Sequence, residues 1–189
     1  MTPNGPLHVP KSIVIVGLMG AGKTCIGSRL ADRLGLPFVD ADTAIEEAAG
    51  CSIADIFEIY GEAAFRDGER RVIARLLDGP VQVIATGGGA FVDPETRARV
   101  RERGISIWLR ADIELLLSRT ARRNHRPLLN KGDRRGTLER LMAERCPVYA
   151  EADIVVDSGR EAPEATVERT LASLAAFLAA RTTTAAVAP

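Results

Sequence analysis

The chain has 189 residues, with 25 Lys+Arg against 25 Asp+Glu and 46% hydrophobic residues. That length suits one domain with a sizeable core, and no Pro/Gly/Ser-rich linker divides it. Zero net charge, with no basic face carrying interleaved aromatics, argues against nucleic acid or another polyanion as partner. No apolar run approaches the roughly 20 residues of a membrane span, and residues 1–11 lack the charged-then-apolar order of a signal peptide. A cytoplasmic protein that does not enter the membrane is therefore expected. Cys25, Cys51 and Cys146 are odd in number and form no C-x-x-C pair, which speaks against a disulfide framework or a zinc site.

Residues 1–11, with three prolines and a glycine, read as a flexible leader. From residue 12 to 34 an apolar run, Ser12-Ile13-Val14-Ile15-Val16, stops at a glycine-rich turn and gives way to an amphipathic stretch: strand, loop, helix. Within it Gly17-Leu18-Met19-Gly20-Ala21-Gly22-Lys23-Thr24 fits G-x-x-x-x-G-K-[ST], the phosphate-binding loop. The residue types follow from the chemistry. Gly20 and Gly22 lack a Cβ, so the backbone can bend with its N–H groups turned inward at a helix N-terminus, a nest for phosphate oxygens. Lys23 adds a mobile positive charge, and the Thr24 hydroxyl suits Mg²⁺, which binds through few protein oxygens plus the nucleotide's phosphates. Lys23 is one of only three lysines among 25 basic residues, whereas no single arginine stands out by type.

Phe38 and Val39 continue the chain as a short second strand running into Asp40-Ala41-Asp42. In open α/β sheets ligands gather at that carboxyl end. If strand geometry persists, Asp40 and Asp42 project on one face. Two carboxylates beside a Mg²⁺-phosphate site suggest that one holds metal-bound water while the other takes or orients a hydroxyl proton; the plain alternative is a solvated turn that caps the next helix. Thr43–Ala49 reads as helical. Ser52, with Asp55 three residues on, caps a further helix striped by Ile53, Ile56, Phe57 and Tyr60, and Gly61 breaks it. A longer helix follows, with Phe65, Val72, Ile73, Leu76 and Leu77 apolar and Arg66 and Glu69 in its early turns.

Val81–Ala85 is a buried parallel strand by composition and runs into Gly87-Gly88-Gly89, where a small partner can approach the backbone. A helix from Pro94, a strand at Ile105–Leu109 and a helix at Asp112–Arg123 come next. Residues 124–137 hold Pro127, two glycines and, counting His125, five basic side chains and read as a mobile lid. A helix through Leu141 is expected to end before Pro147. A strand at Asp153–Val156 and a helix to about Ala180 precede a flexible tail, 181–189. Strands alternating with helices predict an α/β fold: a three-layer α/β/α sandwich around a five-stranded, mostly parallel sheet. Asn130-Lys131-Gly132-Asp133 matches the N-K-x-D of guanine-reading switches, yet it lies in a basic loop where that motif should follow a buried strand. His8 and His125 are too isolated to suggest a metal site or a triad.

Taken together, GLMGAGKT, Asp40-Ala41-Asp42 with Ile45-Glu46, Phe65-Arg66 with Glu69, Gly87-Gly88-Gly89, Arg126-Pro127-Leu128-Leu129 and Arg145-Cys146-Pro147-Val148-Tyr149 resemble the shikimate kinases, over roughly residues 12–163. The resemblance implies a P-loop kinase that transfers the γ-phosphate of ATP to the 3-hydroxyl of shikimate, on the route to chorismate. It places ATP on Gly20, Ala21, Gly22, Lys23, Thr24, the backbone of Cys25, Arg119 and the lid's Arg126. It makes Lys23, Asp42 and Arg126 catalytic, and sets shikimate against Asp42, Arg66, Gly87, Gly88, Gly89 and Arg145. Mg²⁺ falls to Thr24 and, through water, Asp40; Ser158-Gly159-Arg160 falls where relatives have the adenine loop. A carboxylate with three hydroxyls needs a cationic fork, a hydroxyl-directed carboxylate and close backbone approach, and these residues supply all three. A related kinase for another small hydroxy acid such as gluconate, and a non-catalytic nucleotide-binding module, are the competing readings. A monomer is expected.

Overall fold

The computed structural model describes residues 7–121 and 133–186. Five strands, β1 (Ser12–Val16), β2 (Phe38–Asp40), β3 (Val83–Ala85), β4 (Gly104–Arg110) and β5 (Ile154–Asp157), form one sheet in the order β2-β3-β1-β4-β5. Every pairing is parallel, with Ile13 opposite Val83 on one side of β1 and Ile105 on the other. The central β1 is buried at all five positions, as a strand covered on both faces must be, which is why its sequence is a continuous apolar run rather than an alternation.

The helices follow from the strand order. Crossovers between parallel strands are right-handed, so steps in opposite directions along the sheet put their helices on opposite faces. The step from β1 outward to β2 carries α1 (Lys23–Leu34), which packs beside the C-terminal α7 (Pro163–Ala186). The return from β2 to β3 carries α2 (Ala41–Ala49) and α3 (Ile53–Asp78), and the onward step to β4 carries α4 (Pro94–Arg103); α3 packs on α4. Between β4 and β5 lie α5 (Ile113–Ala121) and α6 (Arg134–Tyr149), which also pack together.

Two apolar cores result. The main one joins the sheet to the helices, with Ile13, Leu30, Ile84, Phe91, Ile107 and Leu174 almost wholly buried. A smaller one, Ala44, Ile45, Ile56, Phe65 and Val72, lies between α2 and α3. There α3 is broken at Gly61 (φ 82°, ψ 173°), and the expected Ser52–Asp55 capping box is present.

Three expectations are corrected. The strand does not persist past Asp40: its side chain accepts from Asp42 N–H and caps α2, so Asp42 lies in a helical first turn and not on a shared strand face. α6 does not stop before Pro147 but carries it as an interior residue to Tyr149, with Ala150 N–H bonded to the Cys146 carbonyl. α7 runs to Ala186, through the first part of the expected tail. Of the expected lid, residues 124–132 lie outside the described residues. Asp133, the last residue of the N-K-x-D match, accepts from Gly136 N–H and caps α6, with residues 134–137 in its first turn.

Candidate active site

The turn after β1 is shaped by backbone. Gly17, Gly20 and Gly22 all have positive φ (139°, 85° and 100°), which side chains disfavour. Gly17 has a second constraint, since a Cβ there would lie 2.6 Å from the Leu109 carbonyl oxygen. Gly22 caps α1 without any side-chain hydrogen bond, and the first turn of α1 contains no acid. By contrast α2, α3 and α4 begin with Asp40, Ser52 and Asp93 bonded to their first-turn N–H groups. The start of α1 therefore keeps its positive dipole end and backbone donors for an anion. Lys23 folds back and donates to the Leu18 carbonyl at 3.0 Å, which seats the ammonium over the turn.

Arg119 on α5 locks this turn from outside. Its guanidinium donates to the carbonyls of Gly20 (3.3 Å), Ala21 (3.2 Å) and Gly159 (2.7 Å) and to Ser158 Oγ (3.0 Å). Ser158 in turn donates to the Ala21 carbonyl at 2.9 Å. Arg119 thus ties the phosphate turn to the loop after β5, and Ser158 is a buried strut between them. A cavity of about 320 Å³ opens here, lined by Gly22, Lys23, Thr24, Cys25, Arg119 and Ser158.

At the ends of β2 and β3 the site is built from side chains. Thr24 Oγ1 donates to Asp40 Oδ2 at 2.7 Å, while Asp40 Oδ1 accepts from Asp42 N–H at 3.0 Å. One carboxylate therefore links the start of α1 to the start of α2. Gly87-Gly88-Gly89, just past β3, lies beneath the charged groups. A Cβ at Gly87 would fall 2.8 Å from Asp42 Oδ1 and 3.1 Å from Glu69 Oε1; one at Gly89 would fall 2.7 Å from Arg66 Nη1; one at Gly88 would fall 3.3 Å from Arg145 Nη1. Any side chain here would displace the carboxylates and guanidinia. Asp42, Arg66 and Arg145, far apart in the chain, thus meet over one glycine turn, and Gly88 also comes within reach of the phosphate turn at the Gly17 carbonyl and Met19 N–H.

Arg66 lies over the Phe65 ring, 5.0 Å from its centre, and donates to Glu69 Oε2 at 2.7 Å. Glu69 is 2% exposed. Burial pushes its carboxyl above the usual carboxylate range; Arg66 works against this and the nearby Asp42 charge adds to it. The pair holds Arg66 in place, with Glu62 a second partner at 3.4 Å. Spacing contained the signal for Glu69, three residues after Arg66 on a helix, though not for its burial. Tyr149, whose O–H donates to the Gly88 carbonyl, closes the Arg145–Tyr149 motif, but nothing in the sequence assigns it a role, because Pro147 reads as a stop before it. Arg126 lies outside the described residues. A larger cavity of about 500 Å³, walled by Ile45, Ile56, Phe65 and Val72, belongs to the smaller core and holds none of the site's charged side chains.

A phosphate turn beside an acid-and-arginine cluster is the arrangement of a small-molecule kinase, and comparison with known proteins identifies which. The family model described as shikimate kinase matches residues 19–175. The chain belongs to the shikimate kinase family. It is similar to a shikimate kinase of Paramagnetospirillum magneticum, 62% identical over 171 residues that cover 90% of this chain and 88% of the relative. A solved shikimate kinase of Acinetobacter baumannii in complex with shikimate is 38% identical with a TM-score of 0.82, covering 85% of this chain and 90% of that one. A gluconokinase of Sinorhizobium meliloti, 20% identical with a TM-score of 0.58 over 94% of this chain and 98% of its own, shares the fold alone. Membership makes the protein an ATP-using kinase and sets aside both the nucleotide-binding module and the guanine-reading switch. No helix among the described residues is long and apolar enough to cross a membrane.

Proposed function

We propose that this site transfers the γ-phosphate of ATP to the 3-hydroxyl of shikimate. The observation that carries the reading is the convergence of Asp42, Arg66 and Arg145 on Gly87–Gly89, next to the phosphate turn. The Arg66 and Arg145 forks hold the acid's carboxylate, and the glycine backbone lies close against its ring. The 3-hydroxyl then points toward Asp42. Its oxygen attacks the γ-phosphorus, the bond from that phosphorus to the ADP oxygen breaks, and the hydroxyl proton passes to the Asp42 carboxylate. Lys23 and the N–H groups at the start of α1 meet the charge on the transferring group.

The donor set suits Mg²⁺: a hydroxyl and a carboxylate, both hard oxygen ligands, converge at Thr24 and Asp40. When bound there with ATP, the ion would neutralise charge on the β- and γ-phosphates. We also propose that the protein works as a cytoplasmic monomer on small-molecule substrates. Incubation with Mg-ATP and, separately, shikimate, quinate and gluconate tests the reading. Rapid formation of shikimate 3-phosphate alone is expected. Faster transfer to gluconate, or phosphorylation of shikimate at another hydroxyl, would overturn it.

A further inference from the structure

Tyr149, the last residue of α6, is fully buried, its ring 5.9 Å from that of Trp108 on β4. Its hydroxyl donates to the Gly88 carbonyl, and Arg145, one helical turn earlier, lies against the same glycine, its Nη1 3.3 Å from where a Gly88 Cβ would sit and its charge acting on the phenol. The two arginines of the acid site are therefore held in different ways. Arg66 is paired with Glu69 and Glu62, whereas the group whose protonation Arg145 acts on, one turn along α6, is a neutral phenol. We infer that Tyr149 is a positioning residue for the acid substrate: one buried hydroxyl fixes both the Arg145 fork and the Gly88 peptide, with no negative charge to weaken the cation.

The physical case has three parts. A run of three glycines has no side chains to define its path, so its orientation must come from a partner. Peptide planarity makes the Gly88 carbonyl and the Gly89 N–H one rigid unit, so anchoring the first aims the second. The phenol must stay protonated to donate, and burial, opposed by Arg145, pushes its pKa up to about 12. A carboxylate in its place would also hold Arg145, but it would repel the substrate's own carboxylate and offer no donor to Gly88. Pro147 lies between the two residues and removes one helix N–H. That leaves the last turn of α6 dependent on such a side-chain anchor.

The inference rests on the acid-site reading above, and two variants separate the failures. Tyr149→Phe keeps the ring and removes the hydroxyl. Shikimate KM is expected to rise about tenfold, the worth of one hydrogen bond to a charged group, while ATP KM stays within about twofold. Arg145→Lys is the control. If it raises shikimate KM and folded Tyr149→Phe does not, the inference about Tyr149 is wrong and the site reading stands; if neither does, the site reading itself fails. In the double variant the two losses should be well short of additive, since both act through one fork; full additivity overturns the inference. Should Tyr149→Phe not fold, 3,5-difluorotyrosine at position 149 keeps ring and donor at low pH and loses the donated proton as its more acidic phenol ionises. Shikimate KM should then rise with pH relative to the parent enzyme, and a parallel, flat profile overturns the proposal.

Discussion

The two halves of the site are built on different foundations. The phosphate half is backbone: a turn of positive-φ glycines between β1 and α1, seated on the main core where Ile13, Ile15 and Leu30 are fully buried. The acid half is side chains: Asp42 on α2, Arg66 on α3 and Arg145 on α6, with α2 and the first part of α3 resting on five buried residues and a helix broken at Gly61. Phe57, Ile59 and Tyr60 in that broken stretch are 39%, 65% and 65% exposed. Phosphate is the same in every nucleotide, so a rigid cradle serves it. An acid that must be recognised, enclosed and released is better served by charged groups on a lightly packed element.

The sharpest way to break this division is to remove Lys23. Lys23→Ala should fold normally, because Lys23 is only half-buried and lies outside the apolar core, and should lose on the order of 10³-fold in kcat. Near-normal turnover would show that the phosphate half works by backbone alone. Asp42→Asn is next, with a kcat loss of roughly 10²-fold and Mg-ATP binding retained, since the helix cap at that point comes from Asp40. An unchanged kcat would leave Asp42 as a turn residue.

Arg66→Lys and Arg145→Lys keep the charge but not the planar fork, so shikimate KM should rise about tenfold with ATP KM little changed. Equal rises in both KM values would mean that the halves are not separate. The smallest effect concerns Glu69. Its folded pKa is raised, so the folded state binds this proton more tightly than the unfolded chain does. Stability from this group is present at low pH and is lost as pH rises from the ordinary carboxylate value through the raised one. Glu69→Gln removes that loss, so urea midpoints of variant and parent should shift in the variant's favour as pH rises across that window. A difference that is flat with pH would place Glu69 outside the buried pair.

How much of this was legible follows the same division. The phosphate half lies in eight consecutive residues, so local pattern was sufficient to find it, and the burial of β1 follows from its apolar run. The acid half comes from four distant segments. Arg66 and Arg145 stand out only by setting, beside Phe65 and before Cys146-Pro147, and their role toward the acid comes from resemblance, because 25 basic residues offer no local signal for which two face inward. Asp40 and Asp42 are legible as residues but their geometry is left between two readings: period-2 spacing on a strand and the first turn of a capped helix look alike over three residues, and the Asp40 cap decides for the helix. The end of α6 is not legible because a proline normally ends a helix, whereas here the helix carries Pro147 to Tyr149, whose hydroxyl is bonded to the distant Gly88 carbonyl. Such long-range partners leave no mark on local sequence.

Native-state amide exchange, resolved by segment, tests the division most directly. In the ligand-free protein, residues 12–34 should exchange only at the rate of global unfolding, while residues 41–65 should open at lower free energy and slow markedly when shikimate is added. Equal protection in the two segments, with no slowing of residues 41–65 by shikimate, would contradict it.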